Sequence, residues 1–289
     1  MVQIKKYTHN IFLDIILDKF ERILLEKRSS LKIFLSVIRA LFLRELEMRF
    51  STGKSGLFWT FFEPFLQIFI FVAIRVAIAN SHGTSANATN FDFAVFMASG
   101  FTAFNMFRHT LSSSAGAFIA NQGLFVYKQV KPIDTLISRL LLEFFLTTII
   151  LAIFLSIGLL FEYENTIPQN ILMVFVSYIW LLFFSFGIGL IVGVGNAFFM
   201  SVGKFISILS FGLMILSAVF FPLSSLPPAV QDILLYNPLV HFMEMVHGYW
   251  IDELDTSLVS YSYITAWTII PMFIGIWLYN KLEKRIISL

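Results

Sequence analysis

The 289-residue chain contains no cysteine, and only 13% of its residues are charged. The first absence leaves no disulfide framework and no thiolate metal site. The second excludes an ordinary soluble domain, in which about 25% of residues carry charge. The first thirty residues also lack an uninterrupted apolar stretch of the kind a secretory leader needs, so no cleaved signal peptide is expected. What is abundant is apolar surface: 58% of residues are hydrophobic, Phe alone occurs 35 times, and the mean hydropathy is +0.82. The chain therefore reads as an integral membrane protein. Its apolar segments run to about 20 residues, the length that carries a helix across a hydrocarbon core of about 30 Å. A barrel would instead alternate over segments of about ten residues, so the expected class is all-α.

Six such segments place transmembrane helices at 57–79, 93–114, 135–160, 170–198, 203–221 and 261–280. Of the 20 Lys and Arg, eleven (Lys5 to Lys54) precede the first span. Lys128, Lys131 and Arg139 surround the connection between the second and third, Lys204 lies between the fourth and fifth, and Lys281, Lys284 and Arg285 follow the sixth. The three opposite loops contain no basic residue and hold Asp92, Glu162, Glu164, Asp232, Glu244, Asp252, Glu253 and Asp255. By the positive-inside rule both termini are cytoplasmic. Topology also accounts for the net charge of +2, so no nucleic-acid partner is expected.

Residues 1–56 form a cytoplasmic N-terminal region ahead of a membrane domain at 57–289. Within it, residues 10–28 set Ile11, Phe12, Ile15, Ile16, Ile23 and Leu24 against Asp14, Asp18, Glu21 and Arg22 with a helical period. Residues 31–50 are more apolar, with a narrow polar strip of Lys32, Ser36, Arg39 and Glu47. Such a helix either lies in the headgroup plane or packs on a cytosolic partner, and an apolar stripe alone does not separate the two.

Gly53-Lys54-Ser55 reproduces the tail of a phosphate-binding P-loop. The full GxxxxGK[ST] signature needs a glycine five positions earlier, because the loop's amides wrap phosphate only where no Cβ intrudes. That position is Met48. No Mg²⁺-binding or catalytic carboxylate arrangement for phosphoryl transfer accompanies it either. The chain itself is expected to bind no nucleotide or other cofactor and to contain no catalytic residue.

The run LFLRELEMRF at 41–50, followed by Lys54, Gly56, Trp59 and Glu63-Pro64, resembles the approach to the first span in permease subunits of ATP-binding-cassette exporters for capsular polysaccharide. ANQGLFVYKQVKPIDT at 120–135, FPLSSLP at 221–227 and NPLVHFMEM at 237–245 resemble the same family, in the same order, over residues 41–282. Two positions depart from it. Ser51-Thr52-Gly53 replaces a more basic turn, and His247 stands where the family usually has Arg.

The resemblance implies a homodimeric permease in the bacterial inner membrane, served by two separate ATPase subunits that carry ATP and Mg²⁺. It also implies an interfacial helix before six spans, short re-entrant periplasmic helices between spans five and six, and an elbow at Gly53-Lys54-Ser55. The expected cargo is a lipid-linked capsular polysaccharide, handed to periplasmic and outer-membrane export proteins. An ATPase can move such a pore only through contact. The substantial inner loop, residues 115–134, is the natural element for that contact. Asn121, Gln122, Gly123, Leu124, Tyr127, Lys128 and Lys131 are its candidate coupling residues, with Pro132 at a compatible early helical position.

Charges inside spans cost about 2.5–3.5 kcal/mol each at the bilayer centre and so face protein, water or cargo. Glu63 and Arg108 lie at similar depth, which suits either a mutual ion pair or contact with substrate, and Glu143 is the second candidate partner of Arg108. Arg139 and Glu143, four residues apart, can pair on one helical face. Arg75 sits near a span end, where it can snorkel. Sugar C–H faces stack on aromatic rings, which makes Trp59, Phe62 and Trp180 candidates for the substrate pathway beside Glu63 and Arg108. The glycines of GIGLIVGVGN, 187–196, suit close helix contacts. His241, Glu244 and His247 are spaced by three on a helix, but with no fourth ligand and no HExxH order they read as packing and capping groups, and no metal is assigned.

Two rival readings remain on the sequence alone. One is a related exporter of O-antigen, teichoic acid or a small molecule. The other is an intramembrane glycosyl or acyl transferase, which would require a cluster of His, Asp or Ser at the membrane face.

Overall fold

The computed structural model describes residues 30–51, 54–81 and 92–288. Among them are nine α-helices, two 3-10 turns and no strand. The helices are α1 (Ser30–Ser51), α2 (Lys54–Ser81), α3 (Phe93–Ala120), α4 (Pro132–Leu160), α5 (Ile171–Phe198), α6 (Ser201–Ile215), α7 (Pro228–Leu234), α8 (Pro238–Trp250) and α9 (Tyr261–Ile287). Four of these, α2, α4, α5 and α9, are long and apolar enough to cross a membrane. The chain divides into a unit at 1–37 and a larger one at 38–289. Of the first, only the opening turns of α1 are described; there the Ser36 hydroxyl donates to the Lys32 carbonyl at 2.7 Å. The helix expected at 10–28 and the elbow at Gly53 lie outside the described residues, and α2 begins at Lys54.

Helix starts are fixed by side chains that satisfy otherwise orphaned amides. Asp92 accepts from the Ala94 amide at 2.8 Å, Asn170 from Met173 at 3.1 Å and Asn237 from Leu239 at 3.0 Å. Pro132, Pro228 and Pro238 occupy first-turn positions, where a missing N–H costs nothing.

Two expected boundaries move. The second span, read as ending at 114, continues as helix to Ala120. Ser112-Ser113-Ser114 does not stop it, because the Ser113 hydroxyl is turned back onto the Thr110 carbonyl at 3.2 Å and the helix runs on beneath it. The inner loop therefore shrinks from 115–134 to 121–131. The fifth span, read as 203–221, ends as helix at Ile215, giving 15 residues or about 22 Å. Beyond it Ala218 adopts a left-handed φ of 56°, and the Asn237 amide donates to the Leu216 carbonyl and the Ser217 hydroxyl at 3.0 Å, holding the chain in its turn. Such a φ is costly for a residue with a Cβ, so packing against α8 must hold it there.

The core is built from phenylalanine. Phe96, Phe101, Phe104 and Phe107 of α3 are essentially inaccessible and meet Phe184 of α5 and Phe242 of α8. Ring centroids stand 5.6 Å apart for Phe107–Phe184 and 5.1 Å for Phe184–Phe242, spacings at which aromatic pairs attract beyond simple burial. Helix α5 is central, between α3 and α9. A Cβ on Gly187 would come within 2.7 Å of the Met272 amide nitrogen, and one on Gly189 within 2.7 Å of the Ser114 hydroxyl. These glycines let backbones approach closely, as the sequence reading expected of their run.

Helix α2 is different. Ile68 and Pro64 are buried, while Phe58, Trp59, Phe69, Ile70 and Ile74 are exposed. It leans on α3 and crosses to α4 through a ring contact at 4.4 Å between Phe65 and Phe154. The Arg75 guanidinium, expected to snorkel, lies over the Phe93 ring at 4.1 Å, a cation–π contact.

Candidate functional site

The segment between α3 and α4 is a series of tight turns. Leu124 N–H donates to Asn121 O, Phe125 to Gln122, Tyr127 to Leu124 and Val130 to Tyr127, at 2.9–3.1 Å. Asp134 closes the series by accepting the Lys131 amide at 2.9 Å. The buried Phe125 pins the segment to the bundle. Gly123, Tyr127, Lys128 and Lys131 are exposed, and Gln122 and Leu124 are half-buried. Val126 is 82% exposed and, with Tyr127, forms an apolar tip. Nothing in the sequence reading had singled out Val126.

Asn121 is the exception among the seven coupling candidates, because it is buried and fully engaged. Its amide donates to the Ala117 carbonyl at 2.8 Å, and its carbonyl oxygen accepts from Arg44 of α1. Around it α1 is fastened to α4. Arg139 Nε lies 3.2 Å from Glu45 Oε2, and Arg49 donates to Glu143 through both terminal nitrogens, at 2.9 and 3.4 Å. Arg139 also donates to the Ser113 carbonyl at 2.6 Å. The expected pairing of Arg139 with Glu143 on α4 is therefore replaced by two inter-helix pairs. Both side chains reach across to α1, where Glu143 gains a bidentate arginine and Arg139 gains the buried Glu45. The sequence had placed Arg39 and Glu47 on the polar strip of α1, and both are exposed. The signal it lacked was the other set, Arg44, Glu45 and Arg49, which turns inward.

Glu63 and Arg108 meet. Arg108 Nη2 donates to Glu63 Oε1 at 3.2 Å, and Gln67 donates to the same oxygen at 3.2 Å. Asn105 in turn donates to Gln67 Oε1 at 3.1 Å, so a string of four polar side chains joins α2 to α3. Beside it is a cavity of about 170 Å³ bordered by Trp59, Thr60, Asn105, His109, Glu143 and Thr147, among others. Trp59 and Phe62 belong to an exposed aromatic stack on α2, with Phe58 and Phe62 rings 4.7 Å apart. Trp180 is elsewhere. Its indole donates to the Thr268 hydroxyl at 3.0 Å, and its ring lies against Tyr261 and Phe242, inside the α5–α8–α9 contact.

At the opposite end, α8 carries His241, Glu244 and His247, all buried. His241 Nδ1 accepts from the Ser260 amide, which leaves Nε2–H to donate to the Leu235 carbonyl at 3.0 Å. Glu244 accepts from the Leu223 amide at 3.0 Å, and burial pushes its carboxyl up to about 7. His247 stacks on Phe96 with centroids 3.8 Å apart, in a gap that exists because residue 100 is glycine. Burial lowers it to about 3, so it is neutral. The three side chains thus serve three separate partners.

An all-helical body with apolar helices of crossing length, an exposed turn segment at one end and a buried polar α8 at the other has the architecture of a polytopic helical membrane protein. The chain belongs to the ABC-2 type transporter family, whose pattern matches residues 36–249. It is similar to the polysialic acid transport protein KpsM of Escherichia coli, with 34% identity over 265 residues, 90% of this chain and 99% of that one. The capsule polysaccharide export inner-membrane protein BexB of Haemophilus influenzae is 28% identical over 260 residues, 90% of this chain and 96% of BexB. CtrC of Neisseria meningitidis serogroup B, with the same description, is 28% identical over 265 residues, 89% of this chain and 95% of CtrC.

Proposed function

We propose that this chain is the transmembrane subunit of an exporter that moves lipid-linked capsular polysaccharide outward across the bacterial inner membrane. The observation that carries the reading is the near-complete coverage of KpsM, BexB and CtrC, whose names specify polysialic acid transport for the first and capsule polysaccharide export for the other two. Two copies form the pore, and two separate ATPase subunits bind ATP and Mg²⁺. Periplasmic and outer-membrane export proteins receive the polymer. Six crossings with both termini in the cytoplasm are supported by the basic residues on one side and by the length of α3, 28 residues or about 42 Å. Helix α6 is short, and residues 216–222 complete its crossing, while α7 and α8 are the re-entrant pieces.

In this reading the exposed turns at 122–131 receive the ATPase, and Asn121 ties them to α1 and so to Arg139 and Glu143. The test is deletion and complementation in an encapsulated strain. Loss of surface polymer, with polymer retained inside the cell, is expected on deletion. Gly123→Pro, which forces Gln122 out of its turn conformation, is expected to leave the chain in the membrane and abolish surface polymer or ATPase co-purification. Gly123→Ala is expected to be silent, since a Cβ there meets nothing within 4 Å. Normal surface polymer in the Gly123→Pro strain would refute the coupling role.

A further inference from the structure

A groove of about 270 Å³ runs between α4 and α5, two helices of membrane-crossing length. Its walls include Phe144, Leu151 and Leu155 of α4 and Val174 and Phe175 of α5, with Pro168 at the end where the two helices are joined. Phe144 and Phe175 meet across it with ring centroids 6.2 Å apart. Four side chains with polar atoms also border it, Thr147, Thr148, Tyr178 and Trp250. Three of them have committed their donors to the protein. Thr148 donates to the Phe144 carbonyl at 2.8 Å, Tyr178 to that of Ser99 at 3.0 Å and Trp250 to that of Asn165 at 3.1 Å. The fourth, Thr147, also borders the polar cavity beside Glu63. A hydrogen-bonding group entering the groove would lose its water and gain little in return, so the groove selects hydrocarbon. Between membrane spans the hydrocarbon on offer is an acyl chain.

What joins that chain at the mouth is decided by charge. Beyond Pro168, the Gln169 and Asn170 amides donate to the Trp250 and Tyr249 carbonyls at 3.0 Å, which stitches the α4–α5 connection to the one between α8 and α9. Side chains continue the contact: Gln169 donates to Asp252 at 2.5 Å and Asn165 to Glu253 at 3.0 Å. The two connections, 161–170 and 251–260, carry Glu162, Glu164, Asp252, Glu253 and Asp255 and no Lys or Arg. All five carboxylates are exposed. A phospholipid head with net negative charge finds no cation here and is repelled, whereas an ammonium is attracted.

We infer that this groove binds a phospholipid of the ethanolamine class, with one acyl chain between α4 and α5 and the ammonium of the head at Asp252 and Glu253. The lipid fills the space left between Phe144 and Pro168 and braces the two helices as a side chain would. The site requires only that the chain spans a membrane and does not depend on what the chain transports.

The full chain is purified in mild detergent with EDTA, so that no divalent cation bridges an anionic head, and titrated with phosphatidylethanolamine or phosphatidylglycerol of identical acyl chains. Native mass spectrometry is expected to show at least fivefold more of the ethanolamine lipid retained per chain. The same lipid with a diazirine in its acyl chain is expected to label peptides from 144–155 and 171–178 at least fivefold above those from α9, whose Ile269, Ile270 and Phe273 are exposed. Ala152→Phe, at an exposed position on the groove wall, is expected to cut retention about fivefold. Asp252→Asn with Glu253→Gln keeps both hydrogen-bond acceptors and is expected to bring the two lipids within twofold of each other. Equal retention of both lipids by the unaltered chain, labelling of α9 as strong as that of the groove, retention undiminished in Ala152→Phe, or a preference unchanged in the double variant would overturn the site. The labelling and the double variant leave the bundle untouched, so they decide the matter even where Ala152→Phe folds poorly.

Discussion

Glu45 of α1 and Arg139 of α4 stand 3.2 Å apart with side chains only 10% and 13% exposed, the most enclosed ion pair in the molecule's described part. Removing one partner of a buried pair leaves a stranded charge and typically costs about 3–5 kcal/mol. Glu45→Leu and Arg139→Leu are each expected to lower the detergent-solubilised unfolding temperature, whereas the two changes combined cost less than the sum of the singles. Thermal unfolding of the four proteins gives the coupling energy directly. A double mutant no better than the sum of its singles would show that the contact is incidental.

The pair of Arg108 with Glu63 is more open, at 29% and 47% exposure. Its contribution to stability is accordingly expected to be below about 1 kcal/mol. Arg108→Leu is expected to leave membrane level near normal and reduce surface polymer. Adding Glu63→Gln should restore part of the loss, but adding Glu143→Gln should not, because Glu143 is engaged by Arg49. Equal rescue by both would contradict the geometry.

Glycine positions separate packing from mere composition. Gly187→Ala drives a methyl into the α9 backbone, and strain of this kind typically costs about 1–3 kcal/mol. Gly212→Ala meets nothing within 4 Å and is expected to be neutral or to stabilise α6 by up to about 1 kcal/mol. Unfolding temperatures of the two variants should move in opposite directions or, at the least, differ clearly.

The buried carboxyl of Glu244 gives a pH dependence with a definite sign. Its folded value, about 7, lies above the ordinary 4.5, so the folded chain holds the proton more tightly than the unfolded one. The resulting stability is fully present below about 4.5 and is lost as pH rises toward 7. At most about 3.4 kcal/mol is involved, given 1.36 kcal/mol per pH unit. Glu244→Gln keeps an acceptor for the Leu223 amide and is expected to flatten this part of the profile. Calorimetric or fluorescence melts from pH 5 to 8 that show the same slope in both proteins would refute the assignment.

What could be read from the sequence was what depends on neighbours along the chain. Helices α4 and α5 start and stop within a few residues of where apolar length and Pro132 place them, and Glu63 and Arg108 could be matched because a charge at span depth demands a partner. The misses are long-range. The second span, read as ending at 114, continues through Ser112-Ser113-Ser114, where the Ser113 hydroxyl bonds back to the Thr110 carbonyl. Helix α6 is cut short by Asn237, which is 20 or more residues further on. Arg44, Glu45 and Arg49 are indistinguishable by pattern from any other charges on an amphipathic helix; only the arrival of Asn121, Arg139 and Glu143 makes them interior.

That separation gives the assembly a clock. Glu45 and Arg139 are 94 residues apart in the chain, and a ribosome adding about 5–20 residues per second takes roughly five to twenty seconds to bridge them. Helix α1 is made first and locked late, so its docking registers that α2, α3 and α4 have all arrived. A chain stalled before Asn121 would present Arg44, Glu45 and Arg49 without any of the partners that hold them in the finished bundle.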